Sequence, residues 1–252
     1  MRTILMTIAA MAVLCNTVFA ADEAAKPKLI RALVITGEDV SAHPWQEMTL
    51  GTLKALYDSK KFDVTVEEGI ATLGDKERLD SFDVVVFLLC NMGRFDDINA
   101  DQMANLKAFV EGGKGFYIQH IASASFQKTC PEFSQFCGRW WKWGEAGHGP
   151  RGVFKSTIRV TDHPVTKGLN DFDTDDELYA KLHVDQEDIN VLVDAYSDWS
   201  KNTEPLIFWF NRGKGIVFYN TYGHDGKALA TPEVATLIVR GVEFAATGTV
   251  AE

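Results

Sequence analysis

One segment of the sequence has the pattern of a catalytic turn. In residues 112–122, a glycine turn leads into a short, mostly apolar run, which is followed by His120 and then by mostly small residues. This strand–turn–helix pattern is typical of a nucleophile elbow, which exposes one side chain above a sheet. The exposed side chain here is a histidine, not a serine or cysteine. The alternative is a histidine whose ring is satisfied by the backbone at a strand end.

Three further candidate residues lie in loops that could face the same crevice as His120, at one edge of the predicted sheet. Glu177 belongs to the acidic run 175–179, where the residues after it indicate that its side chain turns inward. Such runs are more often solvated surface, which is the alternative for Glu177. Residues 222–225 follow an apolar strand directly and could aim His224 inward. His43 lies in the loop after the first predicted strand, ahead of a helix start.

These residues support two kinds of catalysis. In the first, His120, His224 and Glu177 act as general acid and base on a sugar, for example a keto-sugar that loses a glycosidic oxygen by β-elimination. No covalent nucleophile is needed for such a lyase-like or hydrolase-like reaction. In the second, His43, His120 and His148 ligate a divalent metal ion that polarises a carbonyl or a hydroxyl pair. For His148, an exposed loop position is the alternative.

The third function left open is carbohydrate binding without turnover. Tryptophans can stack on the apolar face of a sugar while polar residues hold its hydroxyl groups. Core packing is the alternative for buried tryptophans. Catalysis is favoured because several titratable groups converge at strand ends. The residues to which we assign substrate contacts are Trp45, Trp143, Tyr179 and Asp225.

The elements that must position these residues alternate between strands and helices. Apolar runs at 29–36 and 84–89 fit strands buried on both faces, and helical spacing of apolar residues predicts helices at 46–58 and 100–111. This order implies an α/β fold, a doubly wound and mostly parallel sheet with helices on both faces. Ligands bind beyond the carboxyl ends of such strands. The loops expected there are 37–44, 91–97 and 120–125.

The second half of the chain departs from this alternation. Residues 126–151 are rich in aromatic residues and glycine, which predicts an insertion folded over the sheet. A hairpin is predicted between strands at 206–210 and 216–220, and a final helix after Thr231, whose hydroxyl would cap it. Neither His163, which precedes a proline, nor His183 is given a role in the site. We expect a single domain over residues 29–250.

The charge and the first residues bear on partners and location. The formal net charge of −10 and the lack of a basic stripe argue against nucleic acid or an anionic membrane as partner, which leaves small molecules. Arg2, the apolar run 4–14 and a small-residue cleavage motif ending at Ala20 are typical of a secretory signal. We therefore expect residues 1–20 to be removed, residues 21–28 to form a mobile leader, and the protein to be periplasmic or secreted.

The cysteines are compatible with an oxidising compartment. Cys130 and Cys137 could close a short loop there, and two free thiols are the alternative. Cys90 ends an apolar run and is expected to be a buried, inert thiol.

Five motifs in order resemble the ThuA-like (trehalose utilisation) family, which is related to class I glutamine amidotransferases. The likeness extends from Leu29 to Gly248. The resemblance implies an amidotransferase-like sheet, a link to bacterial sugar catabolism that includes 3-keto-sugars, and a homodimer, which is common among such proteins. It carries site roles onto the four candidates His43, His120, Glu177 and His224. The motifs are the elbow at 112–122 and residues 161–169, 176–179, 213–220 and 223–225.

Two departures from the family pattern affect what can be carried over. Ile118 and Gln119 stand where such an elbow has smaller residues, and the tryptophan-rich insertion is particular to this chain. Glutamine amidotransferase activity itself is not expected, because it needs an elbow cysteine activated by a histidine and a glutamate. His120 replaces that cysteine, and residues 231–233 lack the histidine.

Overall fold

The computed structural model describes residues 28–40 and 43–251. The predicted signal peptide, residues 1–20, lies outside the described residues, as does the predicted leader apart from Lys28. Within the described part of the chain, no helix is both long enough and apolar enough to cross a bilayer.

The described residues form thirteen strands and six helices. The strands are β1 (Ile30–Thr36), β2 (Phe62–Glu68), β3 (Val84–Phe87), β4 (Gly115–Gln119), β5 (Arg139–Trp140), β6 (Gly147–His148), β7 (Gly152–Ile158), β8 (Phe172–Asp176), β9 (Tyr179–Ala180), β10 (His183–Val184), β11 (Asn190–Ser197), β12 (Asn202–Arg212) and β13 (Gly215–Asn220). The helices are α1 (Trp45–Ser59), α2 (Lys76–Asp80), α3 (Ala100–Glu111), α4 (Pro131–Cys137), α5 (Gly226–Leu229) and α6 (Pro232–Thr247), and 3₁₀ turns span Ala71–Gly74 and His120–Ala124.

A nine-stranded sheet combines a parallel half and an antiparallel half. Strands β2, β1, β3, β4 and β13 lie side by side in that order, and each is parallel to its neighbour. Strands β12, β11, β7 and β8 extend the sheet through antiparallel pairs. The predicted α/β class is confirmed, and β12 and β13 form the predicted hairpin. The carboxyl ends of the five parallel strands therefore meet at one edge.

Hydrophobic layers cover both faces of this sheet. On β1, Ala32 and Val34 pack in the layer that contains residues of α1 and α6. Leu33 and Ile35 of the same strand pack in the layer that contains residues of α3. Successive side chains of a strand point to opposite faces, so a strand that is buried on both faces must be apolar throughout. This explains the continuous apolar run from which β1 was predicted.

The helix bounds agree closely with the sequence pattern, apart from one cap. Helix α3 has the predicted bounds, and α6 has Pro232 in its first turn and is followed by Gly248 in the left-handed conformation (φ 74°). The predicted cap by Thr231 is wrong, because its side chain makes no capping hydrogen bond. Its hydroxyl lies 3.1 Å from that of Thr174 instead, which ties the helix start to β8.

The insertion, residues 126–151, is held against a second segment of the chain. Its strand β5 pairs with β10, and its strand β6 pairs with β9, each in a separate two-stranded sheet.

Cys130 and Cys137 are free thiols, so the disulfide that the sequence left open is not formed. Burial raises the pKa of the Cys90 thiol to about 12, which keeps it protonated and inert at neutral pH.

Candidate metal centre

His120 occupies a strained position directly after β4. Its side chain is fully buried, and its backbone is left-handed with φ 50°, a conformation that is uncommon outside glycine. Strain of this kind persists where the surrounding structure holds it, often at functional sites. The ring Nδ1 lies 2.6 Å from the Thr221 carbonyl oxygen, so the loop after β13 fixes the orientation of the imidazole. Gln119, one of the unusual elbow residues, is buried and donates to the Thr52 hydroxyl.

His43 faces His120 from the loop that precedes α1. Its Nδ1 lies 2.7 Å from the Val40 carbonyl oxygen, and its Nε2 lies 3.1 Å from Nε2 of His120. Glu177, which follows β8, completes a triangle: its Oε2 lies 3.3 Å from Nε2 of His43 and 3.5 Å from Nε2 of His120. Three ligand atoms from three distant parts of the chain therefore converge on one point.

The protons on the two rings are fixed by their outer partners. A carbonyl oxygen can only accept a hydrogen bond, so Nδ1 of His43 and Nδ1 of His120 must each carry a proton. In the neutral rings, both Nε2 atoms then present lone pairs to each other and to the Glu177 carboxylate. Three electron-pair donors this close repel one another unless a proton or a metal cation lies between them. A histidine that binds a metal almost always donates its other ring N–H to such an oxygen.

His224 supplies a fourth ligand atom. Its Nδ1 lies 3.2 Å from Oε1 of Glu177 and is buried without a hydrogen-bond partner in the described structure. One ligand atom from each of His43, His120, Glu177 and His224 lies within 4.8 Å of the other three. Metal–nitrogen bonds of about 2.0–2.1 Å place tetrahedral ligand atoms roughly 3.3 Å apart. The triangle has that size, and His224 would complete the set after a small adjustment.

A buried aspartate that touches no ligand atom holds two of these residues in place. Oδ1 of Asp176 accepts the backbone N–H groups of Glu177 (2.8 Å) and His224 (3.2 Å). Its Oδ2 accepts the backbone N–H of Gly223 (2.8 Å). Burial raises the pKa of Asp176, and these donors and His120 oppose that shift. Sequence analysis missed this residue, because an acidic run does not show which member turns inward.

The charges of the site favour ligand atoms that are free of protons. Burial lowers the pKa of His120, and Glu177 only partly offsets this, so the ring is neutral at pH 7. Burial alone would raise the pKa of Glu177, but the neighbouring imidazoles of His120, His224 and His43, which favour the ionised carboxylate when they are protonated, lower it far below its ordinary value. A neutral imidazole and an ionised carboxylate are the forms that bind metal ions. Glu177 raises the pKa of His224 against the effect of burial.

Aromatic rings form the wall behind His120. The Tyr179 ring stacks on the His120 ring with centroids 4.1 Å apart, and the Trp141 ring lies 4.4 Å from that of Tyr179. Tyr179 is buried, and neither its hydroxyl nor Trp141 Nε1 has a hydrogen-bond partner in the described structure. Thr221 Oγ1 is likewise unpartnered. Unsatisfied polar atoms gathered around one centre are typical of a site that holds water, an ion or a ligand.

His148 lies at the mouth of the centre. It belongs to β6 of the insertion, its side chain is 30% exposed, and its Nε2 lies 3.4 Å from Oε1 of Glu177. Asp225, which the sequence predicts to contact substrate, caps α5 through the backbone N–H of Ala228 and pairs with Arg151 at 2.8 Å. These contacts give the Asp225 carboxylate a structural role. His163 and His183 lie outside this set of ligand atoms.

A groove of about 580 Å³ borders the centre. We call it the Trp143 groove. Trp143, which the sequence predicts to contact substrate, is 43% exposed. Trp45, the other tryptophan with that prediction, is the first residue of α1. The Arg94 guanidinium lies over its ring, 5.6 Å from the ring centroid. The lining includes Asp39, Val40, Asn91, Asp97, Gln127 and Trp143.

Comparison with known proteins identifies relatives over nearly the whole described chain. The family described as "Trehalose utilisation", ThuA, matches residues 31–245. A ThuA-like protein from Parabacteroides merdae is 28% identical, with a TM-score of 0.75, and the alignment covers 89% of this chain and 92% of that one. No curated protein sequence matches the chain.

Two more distant structures share the fold. A ThuA-like protein from Bacteroides uniformis is 16% identical with a TM-score of 0.65, over 87% of this chain and 94% of that one. A Salmonella typhimurium protein described as cytoplasmic is 13% identical with a TM-score of 0.58, over 86% of this chain and 99% of that one. At these identities the likeness concerns the fold alone.

Proposed function

Because the chain belongs to the ThuA (trehalose utilisation) family, we propose that it is an enzyme of sugar catabolism that acts through one divalent metal ion. The observation that carries this proposal is the meeting of Nε2 of His43, Nε2 of His120 and Oε2 of Glu177 at 3.1–3.5 Å. In the neutral rings both protons lie on Nδ1, so neither Nε2 atom has a proton to donate there. A cation at this point removes the repulsion between the three atoms.

The donor set narrows the choice of metal. Imidazole nitrogens suit zinc and iron, a carboxylate also suits manganese, and magnesium and calcium prefer sites made of oxygen ligands alone. Two histidines and one carboxylate leave coordination positions open, and His224 can fill one of them. We therefore expect zinc, iron or manganese, with at least one position left for water or substrate.

The substrate we propose is a keto-disaccharide or a related glycoside. The metal would polarise a carbonyl or a pair of hydroxyl groups on the sugar and stabilise negative charge on oxygen. His148, outside the ligand set and open to solvent, lies 3.4 Å from the Glu177 carboxylate and could exchange protons with bound substrate. Tyr179 and Trp141 would exclude water from the inner wall.

Metal-free acid–base catalysis is a second candidate, and the opposite pKa shifts of two histidines favour it. The pKa of His120 is lowered by burial, whereas that of His224 is raised by Glu177. Two groups whose pKa values are pushed apart can serve as base and acid. In this case a protonated ring, not a metal ion, would neutralise the Glu177 carboxylate.

Elemental analysis of the purified protein separates the two candidates. We expect close to one zinc, iron or manganese ion per chain in the wild type, and its loss in His120→Ala and in Glu177→Gln. His183→Ala is the matched control, because His183 contacts Glu145 at 3.0 Å outside the metal centre and should leave the metal content unchanged. A folded wild type that holds no metal after supplementation, yet turns over keto-sugars, would overturn the metal proposal and favour acid–base catalysis. Sugar binding without turnover would favour a carbohydrate-binding protein.

We also propose that the protein works after export. Arg2, the apolar run 4–14 and the motif ending at Ala20 support this location. Mass spectrometry of the protein isolated from the periplasm or medium should show a chain that begins at Ala21. A full-length chain confined to the cytoplasm would contradict the proposal.

A further inference from the structure

The Trp143 groove shares its wall with the metal centre. Val40 lines the groove, and its carbonyl oxygen accepts the Nδ1 proton of His43. Ala124 lines the groove as well, and it belongs to the 3₁₀ turn that begins at His120. Val40 and Ala124 pack in one apolar cluster with Tyr179, whose ring stacks on His120. A ligand in the groove would therefore lie against residues that position two of the metal ligands.

The amide side chains of the groove build its walls. Gln127 donates from Nε2 to the carbonyl oxygens of Ala124 and Trp141, and its Oε1 accepts the backbone N–H of Trp143 at 3.3 Å. One side chain thereby joins the 3₁₀ turn to both tryptophans. Asn91 is engaged in the same way with the backbone of Phe95. Gln127 thus holds the backbone of Trp143 in place, and both amides have little capacity left for a ligand.

Groups suited to a ligand remain in the lining of the groove. Trp143 presents an indole that is 43% exposed. The Asp97 carboxylate is exposed and has no hydrogen bond or ion pair within residues 28–40 and 43–251. Asp39 uses Oδ1 to accept the backbone N–H of Trp45, which leaves Oδ2 available. An aromatic face and carboxylate acceptors that line one groove match a sugar ring, which has an apolar face and hydroxyl donors at its rim.

The negative charge of the groove favours uncharged over anionic carbohydrates. Its lining contains two carboxylates, Asp39 and Asp97, against one ammonium group, that of Lys128. The whole chain carries a formal charge of −10. A phosphorylated or acidic sugar would be repelled by this field, whereas an uncharged sugar would not. The volume of about 580 Å³ lies within the usual range of about 300–1,000 Å³ for small-molecule sites.

We infer that the Trp143 groove binds an uncharged sugar ring of the substrate, stacked on Trp143 and held by Asp97 and Asp39. This inference rests on the proposed function, because it places part of that substrate beside the metal centre. A second surface cavity lined by exposed aromatic side chains is a poorer match for a sugar. It contains Tyr196 and Trp199, but the Lys181 ammonium lies over the Trp199 ring at 4.7 Å.

Binding of α,α-trehalose and of glucose 6-phosphate, measured by calorimetry and by saturation-transfer NMR, tests the inference. Metal content is determined on every sample. We expect trehalose to bind the wild type, Trp143→Ala to weaken it about tenfold or more, Trp143→Phe to retain most of the affinity, and Asp97→Asn to weaken it several-fold. Glucose 6-phosphate should bind less tightly than trehalose. Tyr196→Ala is the matched control, and it should bind trehalose like the wild type.

The outcomes separate this inference from the metal proposal. Unchanged binding in both Trp143→Ala and Asp97→Asn, or a larger loss in Tyr196→Ala, would overturn the assignment of the groove. Tighter binding of glucose 6-phosphate would overturn the uncharged ligand. If the metal-loaded protein binds no trehalose, the groove is not the sugar-binding site, and the metal proposal is unaffected. If the protein holds no metal but binds trehalose in a way that depends on Trp143, the metal proposal is wrong and the assignment of the groove is supported.

Discussion

The carboxylate of Asp176 accepts the backbone N–H of His224 at 3.2 Å, although the two residues are 48 positions apart. The same oxygen accepts the backbone N–H of Glu177, and the other oxygen accepts that of Gly223. One buried acid thus sets the distance between the end of β8 and the loop after β13. The spacing of two candidate metal ligands depends on a residue that is not itself a ligand.

We predict that Asp176→Asn weakens metal binding without unfolding the protein. The asparagine oxygen can still accept two of the three N–H groups, but its amide would face the third donor. Loss of such an outer partner lowers metal affinity roughly 10–100-fold. Competition with a chromophoric chelator gives the affinity, and circular dichroism checks the fold. Equal affinity in Asp176→Asn and the wild type would show that Asp176 does not set the ligand spacing.

The metal-free protein should lose stability as the pH falls below about 6.5. The pKa of His120 is lowered from 6.5 in the folded state by burial, so the unfolded chain takes up a proton at a higher pH than the folded chain. The free energy of unfolding then falls with decreasing pH, by at most about 1.4 kcal/mol per pH unit for this one group. Urea denaturation between pH 7.5 and 5 measures it.

A matched variant isolates the contribution of His120 to this pH dependence. His120→Gln removes the titrating ring, so its stability should fall less steeply between pH 6.5 and 5. Glu177 contributes at lower pH, because its lowered pKa stabilises the fold above about 4.3 and that contribution is lost on acidification. His224, whose pKa is raised, acts in the opposite sense and loses its contribution as the pH rises past 6.5. Identical slopes in the wild type and His120→Gln would contradict the assignment.

Tyr179 offers a test of substrate contact that is separate from packing. Its hydroxyl makes no hydrogen bond in the described structure, so Tyr179→Phe should change the free energy of unfolding by less than about 0.5 kcal/mol. Tyr179→Ala should cost about 3–5 kcal/mol, because the ring fills the space between His120 and Trp141. Thermal denaturation measures both. If the hydroxyl contacts substrate, Tyr179→Phe lowers kcat/KM with unchanged stability; unchanged kcat/KM would restrict Tyr179 to packing.

Much of the fold is predictable from sequence because its signals are local. Helix α3 has its predicted bounds because Asn99 and Gln102 form a capping box at its start and a glycine pair follows its end. His120 and His224 were expected to face one crevice because each follows a parallel strand, and such strands end at a common edge. The paired strands β5 and β10, like β6 and β9, are only two residues long, so no periodicity marks them.

The sequence predicts four candidate residues that the structure brings together, but it does not predict their geometry. The type of residue indicates that Glu177 can bind a metal, whereas its inward orientation depends on Asp176, which is paired with a loop nearly fifty residues away. For the same reason the role of Asp225 could not be read from sequence. Its contact with Arg151 joins α5 to the insertion, and nothing near Asp225 in the chain marks that partner.

The candidate metal ligands and the tryptophan of the groove lie in different segments of the chain. All four candidate ligands lie outside residues 126–151, whereas Gln127 and Trp143 lie inside them. The insertion is attached through two short sheets and through the hydrophobic core, in which its residues Phe133, Phe136 and Trp140 pack. Changes confined to the groove side of the insertion, at Trp143, should therefore alter which sugar is accepted and leave the four candidate ligands in place. Substitution of Trp143 alone, which keeps the buried residues of the insertion, would be a direct route to redesigned selectivity.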